Sequence, residues 1–215
     1  MLVVQKNVFN PLSLIQWESL SLIDIFFAKG KKTIYLDADS SLTYLIVASA
    51  ASIDIEVIIK WPKATCKIFA LFLSKVDKQV EWSIKVLLND SSTSADVDLV
   101  SFLYDWAKFM FDGSIDIGSY LHNVHWRLLQ QNVVLGKDIF VKVLPQLNVA
   151  SHDISAAHGA KIDNLDTQKL FYMMSRGLTK QQSQKLLVDG YIEHALKAFD
   201  DIKETDKQRV YDVLS

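Results

Sequence analysis

The chain has 215 residues, half of them hydrophobic, and its 23 Lys plus Arg against 25 Asp plus Glu leave a formal charge of −2. That length fits one large domain or one with a small appendage, and the apolar share supplies a core, which excludes a disordered or low-complexity chain. Lys and Arg cluster only as the short Lys29, Lys31, Lys32 group, so a nucleic-acid groove and a polybasic membrane patch are both disfavoured.

The first residues, Met-Leu-Val-Val-Gln-Lys, have no basic n-region, and no signal peptide is expected. Asn10-Pro11-Leu12-Ser13 reads as a turn, and Leu14 to Ala28 reads either as one amphipathic helix or as a pair of strands. The longest weakly polar stretch, Leu42 to Ile53, is interrupted by Thr43, Ser49 and Ser52 and is too short to span a bilayer. Cys66 is the only cysteine, which precludes an intramolecular disulfide or a Cys-x-x-Cys site and points to a reducing compartment. The expectation is a soluble cytoplasmic protein with no membrane and no nucleic-acid partner.

Up to about residue 160 the apolar residues recur at every second position, which is the strand period, and about ten strands fit the segment. The clearest run is Val80, Trp82, Ile84, Val86, with Glu81, Ser83 and Lys85 on the wet face. Others are Ile53 to Ile59, Ile68 to Phe72, and Ile139, Val141, Val143. Turn-forming clusters separate them: Gly30-Lys31-Lys32, Asp37-Ala38-Asp39-Ser40-Ser41, Val76-Asp77-Lys78, Asn89-Asp90-Ser91-Ser92 and Asp112-Gly113-Ser114. This spacing suits a sandwich, a barrel or a solenoid, and the period does not choose among them.

After Asn164 the period becomes helical. Asp166 can cap a helix carrying Leu170, Phe171, Met173 and Met174, with Gly177 where a left-handed C-terminal residue is wanted. Thr179 and Gln182 form a capping box opening a second helix, with a stripe of Leu186, Leu187, Tyr191, Ala195, Ala198 and Phe199. Thr205 with Gln208 opens a third, ahead of Val210, Tyr211, Val213 and Leu214. The fold class is therefore mainly β with an α-helical C-terminal tail.

Several side chains invite a site reading. His152 and Asp153 lie near His158, but there is no HExxH, Gly-x-Ser-x-Gly or Gly-rich phosphate loop, so solvated loop side chains are expected. His122 and His125 lack a third strong ligand by spacing. Cys66 opens an apolar strand and reads as a small buried hydrophobe. Trp82, Phe102, Tyr104, Trp106, Phe109 and Phe111 fall at strand spacing and read as core rather than as a stacking platform.

Four ordered stations carry a resemblance. His158-Gly159-Ala160, Leu165-Asp166 and Leu170-Phe171-Tyr172-Met173-Met174-Ser175-Arg176-Gly177-Leu178 form the last. Upstream stand Phe111-Asp112-Gly113-Ser114-Ile115, Gln131-Asn132 with Leu135, and Pro145-Gln146-Leu147-Asn148-Val149. Together they resemble the SufB/SufD family of iron–sulfur cluster assembly proteins over residues 65–199, and the N-terminal helical region of that family is expected to be missing. The resemblance implies an uncertain N-terminal segment over 1–30, a right-handed parallel β-helix core over 31–163 and a C-terminal helical domain over 164–215.

It also implies a non-enzymatic scaffold that pairs with a SufB-like subunit or with a copy of itself and docks a SufC-type ABC ATPase through Phe171, Tyr172, Ser175, Arg176, Gly177 and Leu178. No cofactor is expected to bind stably to the chain alone, and a transient iron–sulfur cluster is expected within a complex. Gly136-Lys137-Asp138-Ile139-Phe140-Val141 holds no thiol where the SufB type is expected to carry its assembly cysteine, so the SufD type fits better. Ala156-Ala157-His158-Gly159-Ala160 stands where SufD-type chains read Cys-Ser-His-Gly-Ala, leaving His158 as the one metal-ligand candidate at a subunit interface. Two other classes stay open: a jelly-roll ligand or carbohydrate-binding module, and a degenerate homodimeric adaptor that makes no cluster.

Overall fold

Alternation along the strands leads to two stacked parallel sheets. The computed structural model describes residues 2–49, 51–76, 79–165, 167–199 and 202–214. One sheet holds, in spatial order, β1 (Leu2–Lys6), β3 (Ser19–Phe26), β5 (Ser41–Ser49), β7 (Thr65–Ser74), β9 (Ser94–Leu103), β11 (His122–Val134) and β13 (Asp153–Asn164). The other holds β2 (Leu12–Leu14), β4 (Gly30–Leu36), β6 (Ser52–Ile59), β8 (Val80–Leu88), β10 (Lys108–Ile117) and β12 (Phe140–Val149). Successive strands thus alternate between sheets, and every neighbouring pair is parallel. A jelly roll, whose strands pair antiparallel, is excluded.

Thirteen strands are described where about ten were expected. The surplus lies in residues 2–26, where β1 and β2 are too short to display a period and Asp24 breaks the apolar rhythm of β3. Leu14 to Ala28 is therefore strand and not helix, and it continues the sheets. Two expected turns are strand interior. Lys32 of Gly30-Lys31-Lys32 falls in phase with Ile34 and Leu36 and is drawn inward, and Asp112-Gly113-Ser114 lies within β10. Gly113 is needed there for packing: a Cβ would come within 2.6 Å of the Phe111 ring.

The expected turns into β5 and β9 behave as composition suggests. Asp37 Oδ1 accepts from the Ala38 amide, and Asp39 and Ser92 take the left-handed positions of these two turns, whereas the turns into β3, β7 and β11 put Trp17, Lys63 and Tyr120 there, outside every expected cluster. Asp77 and Lys78 of a further expected turn lie outside the described residues.

Between the sheets sits one core, in which Phe72, Trp82, Phe109 and Phe111 form a column of rings 4.9–5.7 Å apart. Each such buried ring contributes about 2–3 kcal/mol by removal from water. Trp106 departs from expectation. It lies exposed on the turn between β9 and β10 at φ 60°, outside the core, because the chain must reverse there. Inside the stack Asp24 accepts from Lys32 Nζ at 2.5 Å and from the Tyr44 hydroxyl at 2.6 Å, with all three residues buried. Burial, and then the neighbouring Asp24 charge, hold the Tyr44 hydroxyl protonated far into alkali.

The tail forms α1 (Thr167–Ser175), α2 (Lys180–Leu196) and α3 (Glu204–Leu214). Helices α2 and α3 cover the outer face of the seven-stranded sheet in a second core with Ile23, Leu45, Phe69, Leu71 and Phe102. Of the expected stripe, Ala195 and Phe199 are buried and Leu187, Tyr191 and Ala198 pack partly buried against the same core, joined by Val188, Ile192 and Leu196, while Leu186 is exposed. Ala198 and Phe199 follow the helix end. Helix α3 starts at Glu204, so Thr205 lies inside it and Gln208 bonds Asp212 instead of closing a capping box. Asp166, the expected cap of α1, lies outside the described residues. Among the described residues no helix is long and apolar enough to cross a membrane.

Candidate functional site at the C-terminal end of the stack

Most strands have a neighbour on each side, but among the described residues β12 pairs only with β10 and β13 only with β11. The last turn of the stack therefore leaves two rows of backbone donors and acceptors without a strand partner. Its inner face is apolar: Val141, Val143 and Leu147 of β12 and Ile154 and Ala156 of β13 are partly buried against the core. Pro145, in the middle of β12, is tolerated because that strand is an edge.

His158 stands on β13 in register with Leu128 of β11. Leu128 is buried in the core, so the imidazole projects from the same inward face, yet it is exposed because no further strand covers it. Gly159 and Ala160 follow on the same edge strand, and Ala156 lies inward two residues before it.

Asn132 fixes the position of that strand. Fully buried, it donates from Nδ2 to the Lys161 carbonyl at 3.1 Å, while its Oδ1 accepts from Ser101 at 2.8 Å and from Gln130 at 3.0 Å. One amide thus ties β9, β11 and β13 together. Its neighbour Gln131 points the other way and donates to the Tyr191 hydroxyl of α2 at 2.9 Å, and Leu135 packs into the tail core. These positioning roles were not legible from the sequence, although the Gln131-Asn132…Leu135 station marked the place.

The second part of the site is the elbow between α1 and α2. Gly177, at φ 92°, ends α1: the Leu178 amide donates to the Met173 carbonyl and the Gly177 amide to that of Met174, the paired bonds of a Schellman motif. Immediately afterwards Thr179 Oγ1 accepts from the Gln182 amide and Gln182 Oε1 from the Thr179 amide, the expected capping box. The bend is held from both sides. Ser175 Oγ donates to the Tyr172 carbonyl, and the Arg176 guanidinium lies 5.3 Å from the centre of the Tyr172 ring.

Helix α1 buries none of its residues. Phe171 is 75% exposed, Tyr172 59% and Met174 46%, and Leu178 is partly buried beside them. The six elbow residues singled out by the resemblance are thus brought together, apart from His158 on its strand.

The other candidates fall elsewhere. His122 Nδ1 faces Asp153 at 3.4 Å and His125 Nε2 faces Asp96 at 3.3 Å, so the two imidazoles serve different carboxylates and His152 has lost Asp153 to His122. Among the described residues no group of three His, Cys, Asp or Glu stands close enough to hold a metal ion. Cys66 is buried in the main core, and burial pushes its thiol up to about 12.

Comparison with known proteins identifies relatives of the chain. The family described as SUF system FeS cluster assembly, SufBD core domain, matches residues 25–191. The iron–sulfur cluster assembly protein SufD of Escherichia coli is 27% identical over 106 residues, covering 49% of this chain and 25% of that protein. The chloroplastic protein ABCI7 of Arabidopsis thaliana is 19% identical over 211 residues, covering 96% of this chain and 44% of its own. A SufBD family iron–sulfur cluster assembly protein of Synechocystis is 26% identical over 87 residues, 40% of this chain and 19% of that protein. The chain thus spans less than half the length of each of these relatives.

Proposed function

The chain belongs to the SufBD family of the SUF system for iron–sulfur cluster assembly, and from that premise we propose that it is a SufD-like scaffold subunit without catalytic activity of its own. In this reading the alternating sheets are a right-handed parallel β-helix, a hand favoured because parallel crossovers are almost always right-handed. Residues 31–163, expected as its body, are extended by β1, β2 and β3, which pair into the same sheets, and 164–215 make a helical domain. The subunit pairs through the open edges of β12 and β13 with a SufB/SufD-type subunit and docks a SufC-type ATPase on the α1 elbow. A reducing, cytoplasmic setting suits its single cysteine.

The observation that carries this reading is the elbow: a helix with no buried residue that presents Phe171, Tyr172 and Met174 to solvent, on a bend fixed by two capping motifs. A rigid exposed apolar patch is what a docking partner covers. The nascent cluster is cargo in this scheme. His158, exposed on the pairing strand, is its candidate ligand from this chain, through a neutral imidazole nitrogen. Ala156, where a SufD-type chain has cysteine, favours a second reading in which the chain is a homodimeric adaptor that handles no cluster.

Two assays test these readings. Co-purification with a SufC-type ATPase and a SufB-type subunit is expected for the wild type, with the ATPase lost from the Phe171→Ala, Arg176→Glu double variant. Reconstitution of the paired complex with iron and sulfide is expected to yield a visible-absorbing cluster that His158→Ala diminishes. No ATPase binding by a folded wild-type chain rejects the scaffold role, an unchanged cluster in His158→Ala removes His158 as a ligand, and no cluster with the wild-type chain favours the adaptor.

A further inference from the structure

A groove of about 1030 Å³ runs behind the pairing strands, between the outer face of the seven-stranded sheet and helices α1 and α2. Neither the pairing edges nor the exposed face of the elbow uses it. Its bed is apolar, with Leu129, 45% exposed, facing Tyr191. Around it stand four cationic side chains from four elements: Lys67 on β7, Arg127 on β11, Lys161 on β13 and Lys169 on α1. The carboxylate lining it is Asp98. Counting Asp96 and Asp163, which pair with Arg127 and Lys161, four cations stand with three carboxylates, so the trough carries a small positive excess in a chain of net charge −2.

Two glycines line the same space. An ideal Cβ at Gly190, in the middle of α2, would meet nothing within 4 Å, and one at Gly159 on β13 would meet only Leu129, at 3.4 Å. Neither glycine has a left-handed backbone. No packing contact therefore requires Gly190, although glycine is an unfavourable choice inside a helix. What it provides is a bare wall, along which another main chain can approach closely.

The cations already display the chemistry they accept. Arg127 donates to Asp96 at 3.1 Å and to Asp98 at 3.0 Å, and Lys161 stands 2.5 Å from Asp163. The Lys161 side chain is 65% exposed and that of Arg127 31%, and each keeps N–H donors beyond those it gives Asp96, Asp98 and Asp163, so a further carboxylate can share them.

We infer that the groove binds an acidic, extended peptide segment of a protein partner. Its main chain runs between Gly159 and Gly190, its carboxylates meet Lys67, Arg127 and Lys161, and an apolar side chain rests on Leu129 and Tyr191. A single small anion would leave the apolar bed of Leu129 and Tyr191 open. This inference is independent of ATPase docking and of cluster ligation.

The test is fluorescence anisotropy of the full chain with a labelled heptapeptide of alternating Glu and Leu, beside its Lys and Leu counterpart. The acidic peptide is expected to bind, to weaken as salt is raised, and to lose at least about ten-fold in affinity in Arg127→Gln, Lys161→Gln and in Gly190→Leu, whose side chain fills the trough. Gly190→Ala is expected to raise the melting temperature by about 2–4 °C and to change affinity less than two-fold, which separates helix stability from binding. The inference is overturned if the acidic peptide fails to bind, if the basic one binds as well, or if the charge variant binds like wild type. It is also overturned if tripolyphosphate binds alone as tightly and displaces the peptide, which would make the trough a small-polyanion site. Should Gly190→Leu not fold, the charge variant decides alone.

Discussion

The middle of the stack and its C-terminal end are built from the same kind of strand and end up in opposite states. In β8 and β10 the inward residues Val80, Ile84, Val86, Phe109 and Ile115 are buried to within 1% of complete, because each strand has a neighbour on both sides. In β12 the equivalent positions Val141, Val143 and Leu147 are only partly buried and one edge is unpaired. Alternating apolar residues thus make stability where the stack continues and make surface where it stops. The lesson is that a repeating sequence pattern does not say which repeat is left open; that is set by position in the stack.

The sharpest way to break this comparison is through charge. Lys32→Met strands the Asp24 carboxylate in the interior, where its other oxygen has no hydrogen-bond partner among the described residues, and should cost about 3–5 kcal/mol in urea unfolding. The equivalent removal of an ammonium at the open end, Lys161→Met, should leave the midpoint unchanged, since its pair with Asp163 is solvent-exposed. An equal cost for both would mean that the end is as closed as the middle.

Apolar truncation gives the next contrast. Phe109→Ala should cost about 3–5 kcal/mol, whereas Val143→Ala, half-covered on β12, should cost about 1 kcal/mol by the same unfolding assay. Asn132→Ala sharpens the boundary between the two regions. It leaves the Ser101 hydroxyl and the Lys161 carbonyl unpartnered, at about 1–3 kcal/mol, and should speed amide exchange in β13 more than in β9.

The smallest effect is a pH dependence at the end of the sheet. The Asn148 amide, 2.7 Å away, and to a lesser degree Lys85 hold the Asp116 carboxyl below its usual value near 3.8. Its contribution is present above that value and is lost as pH falls through the depressed one. Amide exchange of β12 should therefore accelerate in acid relative to β10, and Asn148→Ala should flatten the difference.

The strand body, the helical tail and the capping box at Thr179 were legible because each rests on local pattern. The period of Val80 to Val86, the Thr179 and Gln182 pair and the glycine at 177 need no distant partner to be read. What failed was set by tertiary phase. Lys32 reads as a turn residue until β4 is aligned so that 32, 34 and 36 share a face, and Asp24 falls on the inward line of Leu20, Leu22 and Phe26 in the same way. Gly113 passes for a turn until the Phe111 ring lies across it. In the candidate site, the resemblance marked His158 and the elbow, but the roles of Asn132 and Gln131 depend on partners some thirty and sixty residues away.

The end of the stack and the elbow are proposed to be surfaces that partners cover. Hydrogen exchange of the chain alone and mixed with a SufB-type subunit and a SufC-type ATPase tests it most directly. Partner-dependent protection is predicted in 140–149 and 153–164 with the subunit and in 167–178 with the ATPase, while β8 and β10 stay slow in every sample. Unchanged exchange in all three segments when both partners are present, or protection confined to the first strands of the stack, would contradict it.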